Sequence, residues 1–237
     1  LLDSHDPEPG VMTFPGLEGE VAYDPRPISK FGSERISRMG FDIASRRSGA
    51  PGDGVSRVTC VDKSNVTRGC QLFRRTFDEV GEGYPNIERD YGYIDAFMQW
   101  ITRNPEHYDV VVSSNMFGDI STDLGAVLQG GMGMAGSANI GDHHAMFEPV
   151  HGSAPKHAGK GIVNPIASIS SVQMMLDWLG RRNANDDLVE VDELVGMAIA
   201  DHVREGKQLT YDLGGNASTT DVGSSIAARL GDALRER

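Results

Sequence analysis

Between residues 57 and 113 short apolar runs alternate with amphipathic stretches, and this alternation restricts the fold more than any other feature. The runs at 57–61, 87–94 and 109–113 are rich in β-branched and aromatic residues and read as strands. The stretches at about 65–80 and 96–102 between them read as helices. Strands separated by helices predict an α/β fold, with a mostly parallel sheet covered by helices on both faces. A helix at 29–46, with Ile36, Met39, Phe41 and Ile43 as its apolar stripe, precedes this unit. After it, helices are expected at about 119–128, 165–179 (proline at the first turn), 188–204 and 221–235, with a further strand at 145–150. Residues 1–27 and the glycine-rich segment 130–136 read as loop, the latter or as closely packed backbone.

Composition narrows the function. With 237 residues, 39% of them hydrophobic, the chain can bury a substantial core. A net charge of −12 argues against nucleic acid or an anionic membrane as the main partner. No apolar run reaches the roughly 18 residues of a membrane span. The two cysteines, Cys60 in an expected strand and Cys70 in an expected helix, read as buried free thiols, which suits a reducing cytoplasm. The opening residues, Leu-Leu-Asp-Ser-His with no initiator Met, lead us to expect a piece of a longer polypeptide.

The chemistry concentrates in residues 115–123, NMFGDISTD, directly after the strand at 109–113. Asp119 and Asp123 lie four apart, so on a helix their carboxylates share a face and repel one another. Many such pairs are solvated acidic faces. At the carboxyl end of a strand, where open α/β sheets place their ligands, a hard divalent cation such as Mg²⁺ or Mn²⁺ is the better reading. Asp95 follows another strand, where an aspartate often caps a helix. Lys63, at the end of a third, becomes an acid/base candidate if it faces the aspartates. Asp62 reads as a cap or buried partner. Residues 148–164, EPVHGSAPKHAGKGIVN, supply small residues, backbone donors, two lysines and two histidines ahead of a helix. They suit a loop around a phosphate-bearing ligand, although neither G-x-G-x-x-G nor G-x-x-x-x-G-K-[ST] is present.

Taken together, DKSN at 62–65, YID at 93–95, NMFGDISTD at 115–123, EPVHGSAP at 148–155 and DLGG at 212–215 resemble the β-decarboxylating dehydrogenases. That family includes the isocitrate, 3-isopropylmalate, homoisocitrate and tartrate enzymes. The resemblance runs from about Ala22 onward and implies metal-assisted oxidation of a (2R)-2-hydroxy acid, with hydride passing to NAD(P) and CO₂ lost. Asp95, Asp119 and Asp123 would hold Mg²⁺ or Mn²⁺, with Asp95 donated across a homodimer that shares its active sites. Lys63 would be the acid/base residue, and Asn65 would lie near the nicotinamide. Glu148, His151, Gly152, Ser153, Ala154, Lys156, His157, Val163, Asn164, Tyr211 and Asp212 would surround the cofactor.

The implied architecture has two domains. Residues 1–133 would hold the smaller, dimerising domain with returning strands of the central sheet. Residues 134–237 would form the carboxyl-terminal part of the large cofactor-binding domain. About a hundred residues that grip the substrate and supply a tyrosine in relatives would precede Leu1, and Tyr23 does not match that tyrosine's motif. Lys156 and His157 stand where NAD-using relatives place an Asp and an apolar residue, which tilts the expectation toward NADP; Val163 and Tyr211 agree. Gly215 stands where NADP-using isocitrate enzymes carry an arginine. Gly152, Ser153 and the Gly214-Gly215 turn favour an isopropylmalate- or tartrate-like substrate over isocitrate or homoisocitrate. A non-catalytic regulatory subunit is the alternative, against which Lys63, Asp95, Asp119 and Asp123 are all present. A metal-dependent hydrolase lacks an activated nucleophile.

Overall fold

The computed structural model describes residues 24–235; the loop expected at 1–27 lies mostly outside the described residues, as does Tyr23. Strand β1 (Arg57–Asp62) pairs in parallel with β2 (Glu88–Tyr93) on one side and β3 (Val110–Ser113) on the other, in the order β2-β1-β3. Helix α2 (Arg68–Gly81) joins β1 to β2, and α3 (Ile94–Arg103) carries the chain back over β1 to β3. The two connections run in opposite directions, so right-handed crossovers must put their helices on opposite faces.

Packing agrees with this geometry. Val58, Cys60 and Val112 meet Phe41 and Ala44 of α1 (Lys30–Ala44) and Phe73 and Phe77 of α2 in one buried cluster. Residues of opposite parity point the other way, where the Cβ position of Gly92 lies within 4 Å of both Val61 and Phe97 of α3. All six residues of β1 are buried, as a strand covered on both faces requires. Each large apolar side chain so buried contributes roughly 1.5–3 kcal/mol. Ser29 starts α1 by accepting from Gly32 N–H at 3.1 Å. In mid-helix, Gly40 lets α1 settle on the sheet: a Cβ there would stand 2.3 Å from Val112 Cγ2.

Helix α4 (Asn115–Gln129) leaves β3 and contains both Asp119 and Asp123. It begins at Asn115, ahead of the start expected near residue 119, because Ser114 already has extended backbone and Gly118 N–H bonds to its carbonyl. Strands β4 (Gly136–Ile140) and β5 (Ala145–Pro149) then form an antiparallel hairpin against α5 (Ile166–Arg182). β4 corrects the sequence reading, which had no strand there; GSANI is short and half polar, and only its pairing with β5 makes it a strand. Pro165 occupies the cap position of α5 rather than its first turn. Helices α6 (Asp186–Glu205) and α7 (Thr219–Arg235) complete a second buried cluster of Met134, Ile166, Ala198, Val222 and Ile226. Among the described residues no helix is long and apolar enough to cross a membrane.

Candidate active site

The three parallel strands end along one edge, the edge where open α/β sheets bind ligands beside a reversal of strand order. Lys63 leaves β1 there, Asp95 lies in the first turn of α3 directly after β2, and α4 opens after β3. Lys63 Nζ donates to Asp95 Oδ1. That hydrogen bond, helped by backbone N–H groups at the start of α3, holds the Asp95 carboxyl below its usual range. Asp95 is two-thirds exposed, so the pair orients the two groups more than it stabilises the fold. The ring of Tyr93 lies 5.7 Å from Lys63 Nζ. Behind Lys63, Asp62 is 1% exposed and is the buried partner expected from its position. It accepts from Arg74 Nε at 2.8 Å and Nη2 at 3.0 Å, and from Ser64 N–H at 2.8 Å.

Asp119 and Asp123 are exposed one turn apart on α4, and among the described residues neither carboxylate has a hydrogen-bond or ion-pair partner. Two unpaired like charges on one helical face fit a hard cation. Among the described residues no three His, Cys, Asp or Glu side chains are grouped to hold a metal. Asp95 is therefore not brought onto Asp119 and Asp123 within one chain; it meets Lys63 instead.

A second site is a cavity of about 700 Å³ between the loop after β5 and the amino end of α7. His151, Gly152, Ser153, Ala154, His157, Val163, Asn164, Tyr211 and Asp212, all cofactor candidates from the sequence, line it. The wall is built by side chains that hold backbone. Asn164 Oδ1 accepts from Ile166 N–H at 3.0 Å, ahead of α5, while its Nδ2 donates to Asp212 Oδ2 at 3.1 Å. Thr219 donates through its N–H to Gly161 O at 2.8 Å and through Oγ1 to Val163 O at 2.5 Å. The turn carrying Tyr211 and Asp212 is so tight that a Cβ on Gly215 would fall 2.0 Å from Leu209 O. His157 and Tyr211 stack with ring centroids 6.1 Å apart. Among the described residues His157 Nδ1 is buried without a partner, and Ala154 adopts left-handed backbone at φ 44°. A strained residue on the wall of a cavity fits a ligand site, where such backbone clusters.

Three candidates lie outside the cavity wall. Asn65 is exposed in the turn beside Lys63, Glu148 is exposed on β5 facing Asn139 Nδ2 at 3.5 Å, and Lys156 is exposed beside the cavity. Gly131, Met132, Gly133, Thr219 and Thr220 line the wall without having been singled out. The glycine run was the available signal for the first three; the threonines carried none.

Residues 8–226 match the isocitrate/isopropylmalate dehydrogenase family. The chain belongs to this family. It is 43% identical over 211 residues to a homoisocitrate dehydrogenase of Methanocaldococcus jannaschii, covering 89% of this chain and 56% of that protein. It is 42% identical over 213 residues to a 3-isopropylmalate dehydrogenase of Archaeoglobus fulgidus, covering 90% and 61%. A crystal structure of a β-decarboxylating dehydrogenase from Thermococcus kodakarensis superposes with a TM-score of 0.78 at 40% identity, over 92% of this chain and 60% of the other. The chain thus spans about three-fifths of the length of these family members.

Proposed function

We propose that this chain carries the metal, acid/base and cofactor residues of an enzyme that oxidatively decarboxylates a (2R)-2-hydroxy acid with NAD(P). The observation that carries the reading is the strand-end edge, where Lys63 is held by Asp95 while, among the described residues, the two carboxylates of α4 stay without partners. Asp119 and Asp123, completed by Asp95 from a second copy in a homodimer, would hold Mg²⁺ or Mn²⁺. Such an ion supplies Lewis-acid polarisation of the substrate's oxygens. Lys63, fixed by Asp95, delivers or removes the proton that enolate formation and its quenching require. The net change is transfer of a hydride to the nicotinamide, loss of the hydroxyl proton, release of the neighbouring carboxylate as CO₂, and uptake of one proton at the carbon that the carboxylate leaves.

The cavity would take the adenosine half of the cofactor, with Asp212 and the backbone of 151–161 as polar partners and Tyr211 and His157 as a stacking wall. NADP is favoured over NAD. His157 and Lys156 place cationic or cationisable groups at or beside the wall, and no acidic residue occupies their positions. Gly215, however, cannot hold the arginine of NADP-using isocitrate enzymes without shifting Leu209. An isopropylmalate- or tartrate-like substrate is favoured over isocitrate or homoisocitrate, on the DLGG turn and Gly152-Ser153. Two domains meeting near residue 133 are supported by two buried clusters, one drawn from residues 41–112 and one from 134–226. A cytoplasmic setting is supported by two buried, unbridged cysteines.

The test is reduced-nicotinamide absorbance with the full-length protein and Mn²⁺, comparing NADP with NAD against 3-isopropylmalate, isocitrate, homoisocitrate and tartrate. Turnover of one substrate that vanishes in Asp119→Asn supports the reading. Binding of Mn²⁺ and dinucleotide without turnover of any member of the panel overturns it in favour of a regulatory subunit.

A further inference from the structure

We propose that Arg74 is a positioning residue for Lys63, acting through Asp62 and Tyr93. The inference rests on the acid/base reading of Lys63 above. A lysine ammonium on a four-carbon stem holds one place only if its root and its walls are fixed. Arg74 fixes both. Its guanidinium grips the two oxygens of Asp62, the residue before Lys63, at 2.8 and 3.0 Å. Asp62 Oδ1 in turn takes the N–H of Ser64, the residue after Lys63, at 2.8 Å, so the backbone on either side of the lysine is tied to one cation. The same guanidinium lies 5.1 Å from the ring of Tyr91 and 5.3 Å from that of Tyr93. Tyr93 is the wall that Lys63 Nζ faces at 5.7 Å, and it stands two residues before Asp95, the partner of Lys63.

Arg74 therefore links the end of β1 to the end of β2 at the point where the lysine–aspartate pair spans them. A buried ion pair is a weak device for stability, since an apolar pair of similar volume often serves as well, whereas its geometry is highly specified. The planar fork and the stacking face are properties of arginine that lysine lacks. Arg74→Lys keeps the charge beside Asp62 but loses both of those properties, which separates positioning from charge neutralisation.

The experiment compares Arg74→Lys, Arg74→Met and Lys63→Ala with wild type in the full-length protein, by thermal unfolding and by steady-state kinetics at one temperature below the wild-type Tm. We expect Arg74→Lys to unfold within a few degrees of wild type, to lose at least tenfold in kcat, and to keep its KM for the dinucleotide within twofold. Arg74→Met should lose both Tm and kcat. Arg74→Lys with a kcat within twofold of wild type overturns the proposal, as does an Arg74→Lys protein unfolded at the assay temperature, which would make the role structural. If Lys63→Ala turns over like wild type, the reading of Lys63 itself fails. If Lys63→Ala is inactive while both Arg74 variants are normal, only the positioning role fails.

Discussion

Gly215→Ala tests whether the wall of the cavity proposed for the cofactor is built by backbone. The new Cβ would lie 2.0 Å from Leu209 O and 2.6 Å from Leu209 C. Main-chain atoms cannot rotate away as a side-chain tip can, so the turn must move. Leu209 O is held by Ala217 N–H at 2.9 Å, and Gly215 N–H holds Thr210 O at 2.9 Å. Opening the turn weakens both bonds, at about 0.5 kcal/mol each. Residual overpacking adds a further 1–3 kcal/mol or so, for a total of roughly 2–4 kcal/mol. In a chain of this size that lowers Tm by about 5–15 °C. The same movement displaces Tyr211 and Asp212 from the wall, so dinucleotide affinity should fall at least about tenfold. Calorimetric titration with NADP and a thermal melt read both effects. Gly152→Ala is the control, because its Cβ meets nothing within 4 Å, and its Tm should stay within about 2 °C of wild type. If Gly215→Ala melted with wild type and bound NADP equally well, the backbone account of this wall would be wrong.

Asp119→Asn and Asp123→Asn should each weaken Mn²⁺ binding at least about tenfold, measured as free Mn²⁺ by electron paramagnetic resonance; unchanged binding in both would remove α4 from the metal site. Cys60 and Cys70 are both about 1% exposed or less, and burial raises the Cys60 thiol pKa. Neither should react with a disulfide reagent until the protein unfolds, and one fast-reacting thiol in the native protein would contradict the packing of β1 and α2. His202, 2% exposed between α6 and α7 with Nδ1 3.0 Å from Ser225 Oγ, has its pKa lowered by burial and by Arg229. Below the ordinary value of 6.5 the unfolded chain binds a proton that the folded chain resists, so stability falls as pH drops through that range. Tm should fall from pH 7.5 to 5.5, and less so in His202→Gln, whose amide does not titrate; equal slopes in the two proteins would refute the assignment.

Much of the strand-end site was legible in the sequence because its residues sit at fixed offsets from strongly patterned elements. Lys63, Asp95 and Asp119 each follow a β-branched or aromatic run, and parallel strands bring such positions to one edge whatever the side chains between them. Arg74 was illegible for the opposite reason. It sits within α2 among Arg68 and Arg75, and nothing in that spacing distinguishes an arginine gripping Asp62 from one in solvent. In the loop at 148–164, position in the chain identified most of the cavity wall, but not which side chains face it. Lys156 and His157 are neighbours, yet only His157 reaches the cavity, because residues 155–157 form one tight turn after the left-handed Ala154. β4 escaped because its strand character comes from its partner rather than from itself.

The two sites are held by different physics, and that difference predicts how each tolerates change. At the strand ends the supporting atoms belong to side chains: Asp62, Arg74 and Tyr93 brace a lysine whose partner is exposed. A substitution there alters orientation while the sheet beneath, buried along the whole of β1, stays in place. Around the cavity what is held is the backbone itself, by the Leu209–Ala217 and Gly161–Thr219 main-chain bonds and by the side chains of Asn164 and Thr219. A substitution there moves the wall itself. Losses at the strand ends should therefore appear first in turnover with the fold intact, whereas losses at the cavity should appear together in stability and cofactor affinity. Arg74→Lys and Gly215→Ala, assayed side by side, separate those two outcomes.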